Sequence, residues 1–275
     1  GRWRLPVSLC ALGFVGTFVG LPLYSLVWRA GRVGGNAAVG LAPAWSIQGL
    51  QGTLRFAWDE ASEPLGQGLV WAFASASVAV VLGWSLAWFS RKRGPWRWVT
   101  AVAVALALAT PGPVTGFALV YAYRGFPRIY DSAAMVVLAG VARTFPYALL
   151  VLWPAVRSIP DEYLDAAEVD GLGPYRRVRQ VAIPATLGAI VAAWAVTFTL
   201  SLGELPATNL VAPPGINPLS VVIWGLLHTG VESHLAGVVL IMLGAVCAAG
   251  LAALGFLAWL SGPGANPPRV QKPVP

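Results

Sequence analysis

The chain has 275 residues, of which 57% are hydrophobic and only 11% are charged, and its formal net charge is +7 at pH 7. A soluble globular domain carries about 25% charged residues, so this composition excludes an ordinary soluble protein and indicates one that crosses a membrane several times. The positive charge then favours arginines and lysines held beside anionic lipid over a nucleic-acid partner.

Six apolar stretches are long enough to cross a bilayer as helices, since about 20 residues rising 1.5 Å each span the hydrocarbon layer. Each stretch is continuous rather than alternating, which favours helices over the strands of a β-barrel. The sequence therefore predicts an all-α integral membrane protein with six transmembrane helices. In chain order these are Leu5–Trp28, Gly66–Phe89, Trp98–Tyr123, Ser132–Val156, Ile183–Leu202 and Leu235–Leu260.

The connections between these stretches suggest three regions. Residues 1–65 hold the first span and a long Gly- and Ala-rich loop, which we interpret as external. Residues 66–262 form the core transmembrane domain, with a cytoplasmic loop at 158–184. A tail at 263–275, rich in Pro and Gly, is predicted to be disordered.

The distribution of basic residues predicts the orientation in the membrane, because lysine and arginine concentrate in cytoplasmic segments. With both termini in the cytoplasm, twelve lie inside: Arg2, Arg4, Arg91, Lys92, Arg93, Arg97, Arg157, Arg176, Arg177, Arg179, Arg269 and Lys272. Five lie outside: Arg29, Arg32, Arg55, Arg124 and Arg128. Only Arg143 falls within a span, so this orientation is favoured over its inverse.

The loop containing "LDAAEVDGLGPYRRVRQVAIP", residues 164–184, is unusually rich in charge for this chain. Ser158 and Pro160, with Pro160 at the first helical position, predict a helix start, and the Gly-Leu-Gly-Pro run from Gly171 predicts its end. Carboxylates at spacings of four and three share one face of such a helix: Asp161, Asp165 and Glu168. Ala167 and Gly171, four residues apart, predict a strip poor in side chains, which another surface could approach closely.

The spacing within this loop resembles a known family. Asp165-Ala166-Ala167 is followed after three residues by Gly171, and after nine more by Val-Ala-Ile-Pro at 181–184. This pattern resembles the EAA loop of bacterial ABC importer permeases, written Glu-Ala-Ala, three residues, Gly, nine residues, Ile-x-Leu-Pro. The chain departs from it in having Asp165 for the glutamate and Leu172 for a small residue after the glycine.

The resemblance implies the type I ABC importer permease fold, in which this loop is a coupling helix seated on a separate ATP-hydrolysing subunit. It implies an interface to that subunit made by Asp165, Ala166, Ala167, Glu168, Asp170 and Gly171. Further implied partners are a second permease domain or half, a periplasmic or lipid-anchored substrate-binding protein, and membrane lipid. The expected location is the bacterial inner membrane.

The chain contains no G-x-x-x-x-G-K-[ST] phosphate loop, and its two lysines, Lys92 and Lys272, lie in no such context. We therefore expect it to be no enzyme and to hold no cofactor or metal, with ATP and magnesium bound by the partner subunit. The first residue is Gly1, which would suit the second half of a fused two-part permease.

Three further segments resemble permeases for one substrate in particular. The Pro-Pro-Gly, Leu-Ser and Leu-Leu-His-x-Gly run between residues 213 and 230 is similar to the end of ferric-iron importer permeases. The stretches "ARTFPYALL" and "PGPVTGFALVY" also resemble segments of that group. Ferric iron is therefore the expected substrate. Thiamine, polyamine and phosphonate importers share the architecture and stay open as alternatives.

Charged residues near the spans supply the remaining candidate sites. Arg143 lies near mid-span, where an unpaired charge is unfavourable, so it should face the bundle interior or a wet cavity. We predict either a translocation path involving Arg143, Pro146 and Glu204, or a structural pair between Arg143 and a carboxylate such as Glu204. Pro111, Pro113 and Pro146 could break helices beside that path.

Histidine and cysteine spacings argue against a metal site or a disulfide. His228 and His234 are six apart, unlike the four-residue spacing of a helical metal pair. With Glu204 and Glu232 they are interpreted as loop or interface residues rather than metal ligands. Cys10 and Cys247 lie in separate apolar runs without CxxC spacing, so we expect each to act as a small hydrophobic residue.

Two other functional classes were weighed. An intramembrane protease would need a G-x-S-x-G or H-E-x-x-H constellation, and the sequence contains neither. A secondary transporter would need carboxylates at mid-membrane for ion coupling, and the predicted spans hold almost none. An ATP-driven importer permease explains the loop spacing better than either.

Overall fold

A computed structural model describes residues 4–33, 44–92, 94–229 and 232–260. Within these ranges nearly all residues are helical. The α-helices are α1 (Arg4–Val15), α2 (Leu21–Gly31), α3 (Ile47–Phe89), α4 (Pro95–Ala109), α5 (Gly112–Tyr123), α6 (Pro127–Tyr130), α7 (Ala134–Arg157), α8 (Asp161–Val169), α9 (Pro174–Arg177), α10 (Ile183–Ala185), α11 (Leu187–Leu202), α12 (Thr208–Val211), α13 (Leu219–Thr229) and α14 (Glu232–Leu260). Short π-helical segments are Gly16–Gly20 and Val178–Ala182, and two strands, β1 (Arg32–Val33) and β2 (Ala44–Trp45), pair antiparallel.

The prediction of an all-α membrane protein with six spans is confirmed. Four stretches are individually long and apolar enough to cross a bilayer, and two bent helix pairs bring the number to as many as six. The four are Pro6–Gly31, Ile47–Phe89, Ala134–Arg157 and Glu232–Trp259. The bent pairs are Pro95–Ala109 with Gly112–Tyr123, and Pro174–Ala185 with Leu187–Leu202. The tail at 263–275, predicted to be disordered, lies outside the described residues.

The chain divides into two compact units. The first comprises Gly1–Gly68 and Asn217–Ala245, and the second comprises Leu69–Ile216 and Val246–Pro275. The second unit contains the charged loop at 158–184 and Arg143, so it carries both groups of candidate residues from the sequence.

Helix α3 begins at Ile47, inside the segment that we interpreted as a long loop before Gly66. Ser46 starts it, because its Oγ accepts a hydrogen bond from the Gly49 N–H at 2.9 Å. The buried residues on this first half recur every four positions and are mostly small: Thr53, Ala57, Ala61 and Leu65. These small residues raise the hydropathy little. Pro64 would normally indicate a helix boundary, but α3 continues through it. Neither hydropathy nor the proline therefore predicted a helix before Gly66.

In the first unit, α14 packs closely against this small-residue stripe. A Cβ added at Gly237 would lie 2.9 Å from both Ala57 Cβ and Thr53 Cγ2, closer than real side chains approach. Glycine therefore permits a helix contact here of the kind common in membrane bundles, where close van der Waals packing replaces the hydrophobic effect.

The predicted span Trp98–Tyr123 is not one continuous helix. Helices α4 and α5 are bent by 107° at the residues between them. Thr110 and Pro111 there adopt extended ψ angles of 120° and 147°. Proline disfavours the helical conformation in the residue before it and lacks an N–H for the helix ladder, so the chain turns at this point.

The other two prolines proposed as helix breaks lie inside helices, Pro113 in the first turn of α5 and Pro146 in α7. Pro146 lies inside α7, which runs without interruption from Ala134 to Arg157, so the expectation of a break there was wrong. A bend of 70° instead separates the pair α9–α10 from α11 at Thr186, whose φ and ψ are −107° and 9°. The predicted span Ile183–Leu202 is therefore bent just after it begins.

The connection between the fifth and sixth predicted spans, residues 203–234, is also partly helical. Helices α12 and α13 lie within it, and α13 covers the apolar run Leu219–Thr229. Eleven residues are too few to cross a bilayer, and so this run gave no span signal in the sequence.

The core of the second unit lies around α7, which packs against α11. Its inward side chains are fully buried: Met135, Ala139, Ala148, Leu149, Leu152 and Val156. The contact is closest at Gly140, where an added Cβ would lie 2.4 Å from Ser75 Oγ and 2.6 Å from Ser201 Oγ. Gly140 thus lets α3, α7 and α11 meet at one point.

Candidate functional site

The charged loop at 158–184 contains a helix with a defined start and stop. Pro160 precedes α8 with an extended ψ of 137°, and Asp161 and Glu162 occupy the first turn, where carboxylates suit the positive end of the helix dipole. Pro160 is thus the residue before the helix rather than its first position. The predicted boundaries are otherwise confirmed.

Helix α8 ends in a motif that requires glycine. The Leu172 N–H donates to the Ala167 carbonyl at 2.9 Å, and the Gly171 N–H donates to the Glu168 carbonyl at 2.9 Å. These paired bonds form a Schellman motif, in which the residue after the cap is left-handed. Gly171 has a φ of +79°, and an added Cβ would meet nothing within 4 Å. Gly171 is therefore needed for the left-handed backbone conformation. Whether it also leaves room for a docking partner stays a prediction.

One face of α8 packs on the chain itself. Leu164 and Ala167 are each only 7% exposed, and Leu164 belongs to a cluster with Ile159 and Ala182. The indoles of Trp84 and Trp88 on α3 pack against that cluster. Ala167 therefore lies on the internal face, which differs from the exposed strip expected from the sequence.

The opposite face of α8 is exposed and largely apolar. Val169 is 89% exposed and Tyr163 is 61% exposed. Ala166 lies between them on the helix and is also exposed, with Glu162 and Asp170 beside them. An exposed tyrosine, alanine and valine on so short a helix form a surface that could bury apolar area against another protein.

The third face carries the carboxylates predicted to lie together. Asp161, Asp165 and Glu168 line a cavity of about 480 Å³ whose basic lining residues are Arg91, Lys92 and Arg177. Two ion pairs cross it, Arg91 with Asp161 and Arg177 with Glu168. The arginines are the buried partners, with side chains 9% and 22% exposed, whereas the two paired carboxylates face solvent.

Sequence reasoning missed the pairing of these arginines. Arg177 lies nine residues after Glu168, beyond the spacings of three and four at which side chains of one helix meet. Arg91 lies 70 residues before Asp161, and no local pattern connects positions so far apart.

A second charged group lies at the break between α4 and α5. Arg143 Nη1 donates a hydrogen bond of 2.7 Å to the Thr110 carbonyl, and its Nε lies 3.9 Å from Glu204 Oε1. The Glu204 carboxylate also accepts hydrogen bonds from the N–H groups of Ala207 at 3.0 Å and Thr208 at 2.8 Å. The Thr208 hydroxyl donates to it at 2.7 Å.

These hydrogen bonds satisfy backbone groups at two helix ends, which have no partner within their own helices. Glu204 caps the start of α12, and Arg143 binds a carbonyl at the end of α4, where the next residue is a proline without an N–H. The pair expected between Arg143 and Glu204 is present. Pro146 is buried one turn further along α7. A role for these three residues along a translocation path stays a prediction.

The histidines each contact an aromatic ring in the first unit. The ring of His234 stacks on Phe56 with centroids 3.8 Å apart, and His228 Nδ1 lies 2.8 Å from the Trp224 carbonyl oxygen. Both lie in helices rather than in a loop, and Glu232 pairs with Arg29 at 3.1 Å. In the part of the chain that the structure describes, no three His, Cys, Asp or Glu residues are grouped to hold a metal ion.

Comparison with known proteins shows which family has this architecture. A family model described as the binding-protein-dependent transport system inner membrane component matches residues 79–261, which include both charged groups. The chain belongs to this family. It is a permease subunit of an ABC importer and a multi-pass protein of the inner membrane.

Several curated permeases resemble this one. The putrescine transport system permease protein PotI of Escherichia coli is 26% identical over 266 residues, covering 94% of this permease and 89% of that protein. The Fe(3+)-transport system permease protein FbpB 2 of Haemophilus influenzae is 27% identical over 117 residues, or 42% and 23% of the two chains. The sulfate transport system permease protein CysT of Salmonella typhimurium is 28% identical over 156 residues, or 52% and 56%.

Solved structures share the permease fold. An inward-facing methionine ABC transporter, MetNI, matches with a TM-score of 0.57 at 18% identity, covering 78% of this permease and 99% of that chain. A bacterial alginate ABC transporter in complex with a pentasaccharide-bound periplasmic protein matches with a TM-score of 0.57 at 15% identity, covering 92% and 93%. The type I importer fold implied by the loop spacing is thereby confirmed. The side of the membrane on which each loop lies stays a prediction.

Proposed function

We propose that α8 is the coupling helix of this permease and docks on a separate ATPase subunit. The observation that carries this is its exposed face of Tyr163, Ala166 and Val169, in a helix whose other two faces contact its own chain. Asp170 and Gly171 lie at the exposed end and complete the docking surface. Asp165 and Glu168 border it on the charged face, and Ala167 supports it from behind.

The mechanism that we propose is alternating access driven by that partner. Two ATPase subunits bind ATP and magnesium and close, drawing together the coupling helices of two permease domains, and the bundle opens outward. A loaded substrate-binding protein then delivers its substrate, and hydrolysis resets the bundle. The part of this chain is mechanical, because a short, rigid helix packed on longer ones moves as a body.

For the substrate, we propose a polyamine such as putrescine. The support is the similarity to PotI, which extends over nearly the whole of both chains. Ferric iron, the substrate expected from the sequence, is the second candidate. It is favoured by the similarity to FbpB 2, which covers a smaller part of each chain, and by the run between residues 213 and 230.

Cysteine crosslinking tests the docking surface. Cys10 and Cys247 are both free, so they are first replaced by serine. Val169→Cys should then crosslink to the ATPase subunit in membranes. The matched control is Phe126→Cys, which is also exposed but lies after α5, on the predicted external side. Crosslinking at Phe126 and none at Val169 would reverse the predicted orientation and refute the proposal.

The substrate is tested in proteoliposomes containing the permease, its ATPase subunit and its binding protein. ATP hydrolysis is measured with the binding protein loaded with putrescine, with ferric iron, or empty. We expect stimulation by the putrescine-loaded protein above the empty one. Stimulation by the iron-loaded protein alone would reject the polyamine and leave the docking proposal intact.

A further inference from the structure

Arg91 connects the end of α3 to the start of α8. It lies in the turn that closes α3, where its N–H donates to the Trp88 carbonyl at 3.2 Å. The side chain is almost fully buried. Its Nη2 donates to the Ile159 carbonyl at 3.4 Å and pairs with the carboxylate of Asp161, the first residue of α8. The guanidinium also lies 5.5 Å from the centroid of the Trp88 ring.

These contacts hold one arginine in a fixed geometry. A guanidinium presents a rigid fork of donors and stacks on aromatic faces, so its orientation is determined when both kinds of partner are present. Two of its partners, Ile159 and Asp161, lie on either side of Pro160 at the entry to α8. A displacement of the helix start therefore acts on Arg91 and, through it, on the end of α3.

Helix α3 also contacts the other end of the loop. Trp84 Nε1 donates to Thr186 Oγ1 at 3.0 Å, at the point where the chain bends by 70° into α11. Trp84 and Trp88 stack almost parallel, with centroids 5.6 Å apart, and both pack against the cluster under α8. The last two turns of α3 thus touch the loop at its beginning, its middle and its end.

The second ion pair of α8 provides a comparison within the same loop. Arg177 pairs with Glu168, only nine residues earlier, and so joins the end of α8 to α9. This pair closes the loop on itself. The Arg91 pair instead joins the loop to a helix 70 residues earlier in the chain.

We propose that Arg91 is a positioning residue for energy coupling, and that it transmits the displacement of α8 to the transmembrane helix α3. This inference rests on the proposed docking of α8 on an ATPase subunit. Arg91 touches neither nucleotide nor substrate; it acts by holding Asp161 and the Ile159 carbonyl. Arg177 shapes the loop but does not link it to a span.

The experiment measures the number of ATP molecules hydrolysed per substrate molecule imported, in proteoliposomes with the complete complex. The Arg91→Gln and Asp161→Asn variants should each retain the ATPase subunit on co-purification and still hydrolyse ATP. Import per ATP should fall by about fivefold or more, the lower range of measured coupling between sites. The charge-exchanged double variant, Arg91→Asp with Asp161→Arg, should recover part of the loss, because it restores the ion pair but not the donor to the Ile159 carbonyl.

Arg177→Gln is the matched control, because it also removes an arginine that pairs with a carboxylate of α8. We expect it to change import per ATP by less than about twofold, as an exposed pair of modest strength would. An equal loss in Arg177→Gln, or no recovery in the double variant, would overturn the proposal and assign Arg91 a purely structural part.

Two results distinguish this inference from the proposed function. If the wild-type permease binds no ATPase subunit through α8, docking itself fails, whatever Arg91 does. If docking is intact and import per ATP is unchanged in Asp161→Asn, the Arg91 proposal alone fails. Asp161 is 73% exposed, so its substitution tests the pair even if Arg91→Gln does not insert into the membrane.

Discussion

Two groups of arginine and carboxylate side chains in the second unit differ in which partner is buried. At α8, the arginines are buried and their carboxylates face solvent, with Asp161 and Glu168 73% and 64% exposed. At the break between α4 and α5, the Glu204 carboxylate is only 7% exposed, and Arg143 is 24% exposed. Glu204 also accepts three further hydrogen bonds within four residues of itself.

The difference teaches what each group does for the fold. The Glu168 carboxylate is exposed and its partner Arg177 is partly accessible to water, so that pair can open at modest cost. Arg91 is almost fully buried and would lose its counterion if its pair opened, so Asp161 and Arg91 move together. Water cannot replace the Glu204 carboxylate, because this carboxylate is buried and accepts hydrogen bonds from the first N–H groups of α12. The ion pairs of α8 suit a helix that moves, whereas Arg143 and Glu204 fix the bend between α4 and α5.

The largest effect is expected from Glu204→Ala. It removes the cap of α12 and leaves Arg143 without its carboxylate, so we expect a loss of about 3–5 kcal/mol in the free energy of unfolding. Denaturation of the purified permease in detergent, followed by tryptophan fluorescence, measures it. Glu204→Gln is the control, since it keeps an acceptor for the N–H groups and should lose less. An effect below that of any α8 pair would contradict the comparison.

The second expected effect is from Arg143→Met, which keeps much of the side-chain volume. It leaves the part-buried Thr110 carbonyl without its donor and should cost about 2 kcal/mol, within the range for an acceptor left without a partner. The same denaturation experiment measures this loss. Import by a folded Arg143→Met permease separates the two alternatives for this residue. Normal import per folded molecule supports a structural pair, and abolished import supports a place on the translocation path.

A smaller effect is expected from Gly171→Ala. The added Cβ meets open space, so only the left-handed φ of +79° opposes it, at about 1 kcal/mol. Gly173→Ala is the matched control, because Gly173 also has open space around it but a φ of −66°. Equal Tm values for the two variants would show that the Schellman motif contributes nothing to stability.

The smallest effect is expected from Arg177→Gln. Its partner Glu168 is exposed, so the pair should contribute less than about 1 kcal/mol to the free energy of unfolding. The effect should shrink further at 1 M salt, where the Debye length falls to about 3 Å. A loss as large as that of Glu204→Ala would show that exposure of the carboxylate does not set the strength of these pairs.

Hydropathy and motif spacing predicted the six spans and the helix at α8, because both signals are local in the sequence. They missed the first half of α3, whose buried stripe of Thr53, Ala57 and Ala61 carries little hydropathy. Pro111 was predicted as a helix break, but the bend of 107° was not, since an apolar run has the same hydropathy whether straight or bent. The ion pair of Arg91 with Asp161 could not be predicted from local patterns, because only folding brings residues 70 apart in the chain together.

The stop at Gly171 has a consequence for how this loop can vary. Helix α8 has nine residues, fixed at one end by Pro160 and at the other by the left-handed glycine. One inserted residue would rotate everything downstream by about 100°, since a helix has 3.6 residues per turn. Tyr163 and Val169 would then point in different directions. The exposed side chains of the docking face can therefore be substituted singly, whereas an insertion or deletion between Pro160 and Gly171 would misalign the whole face.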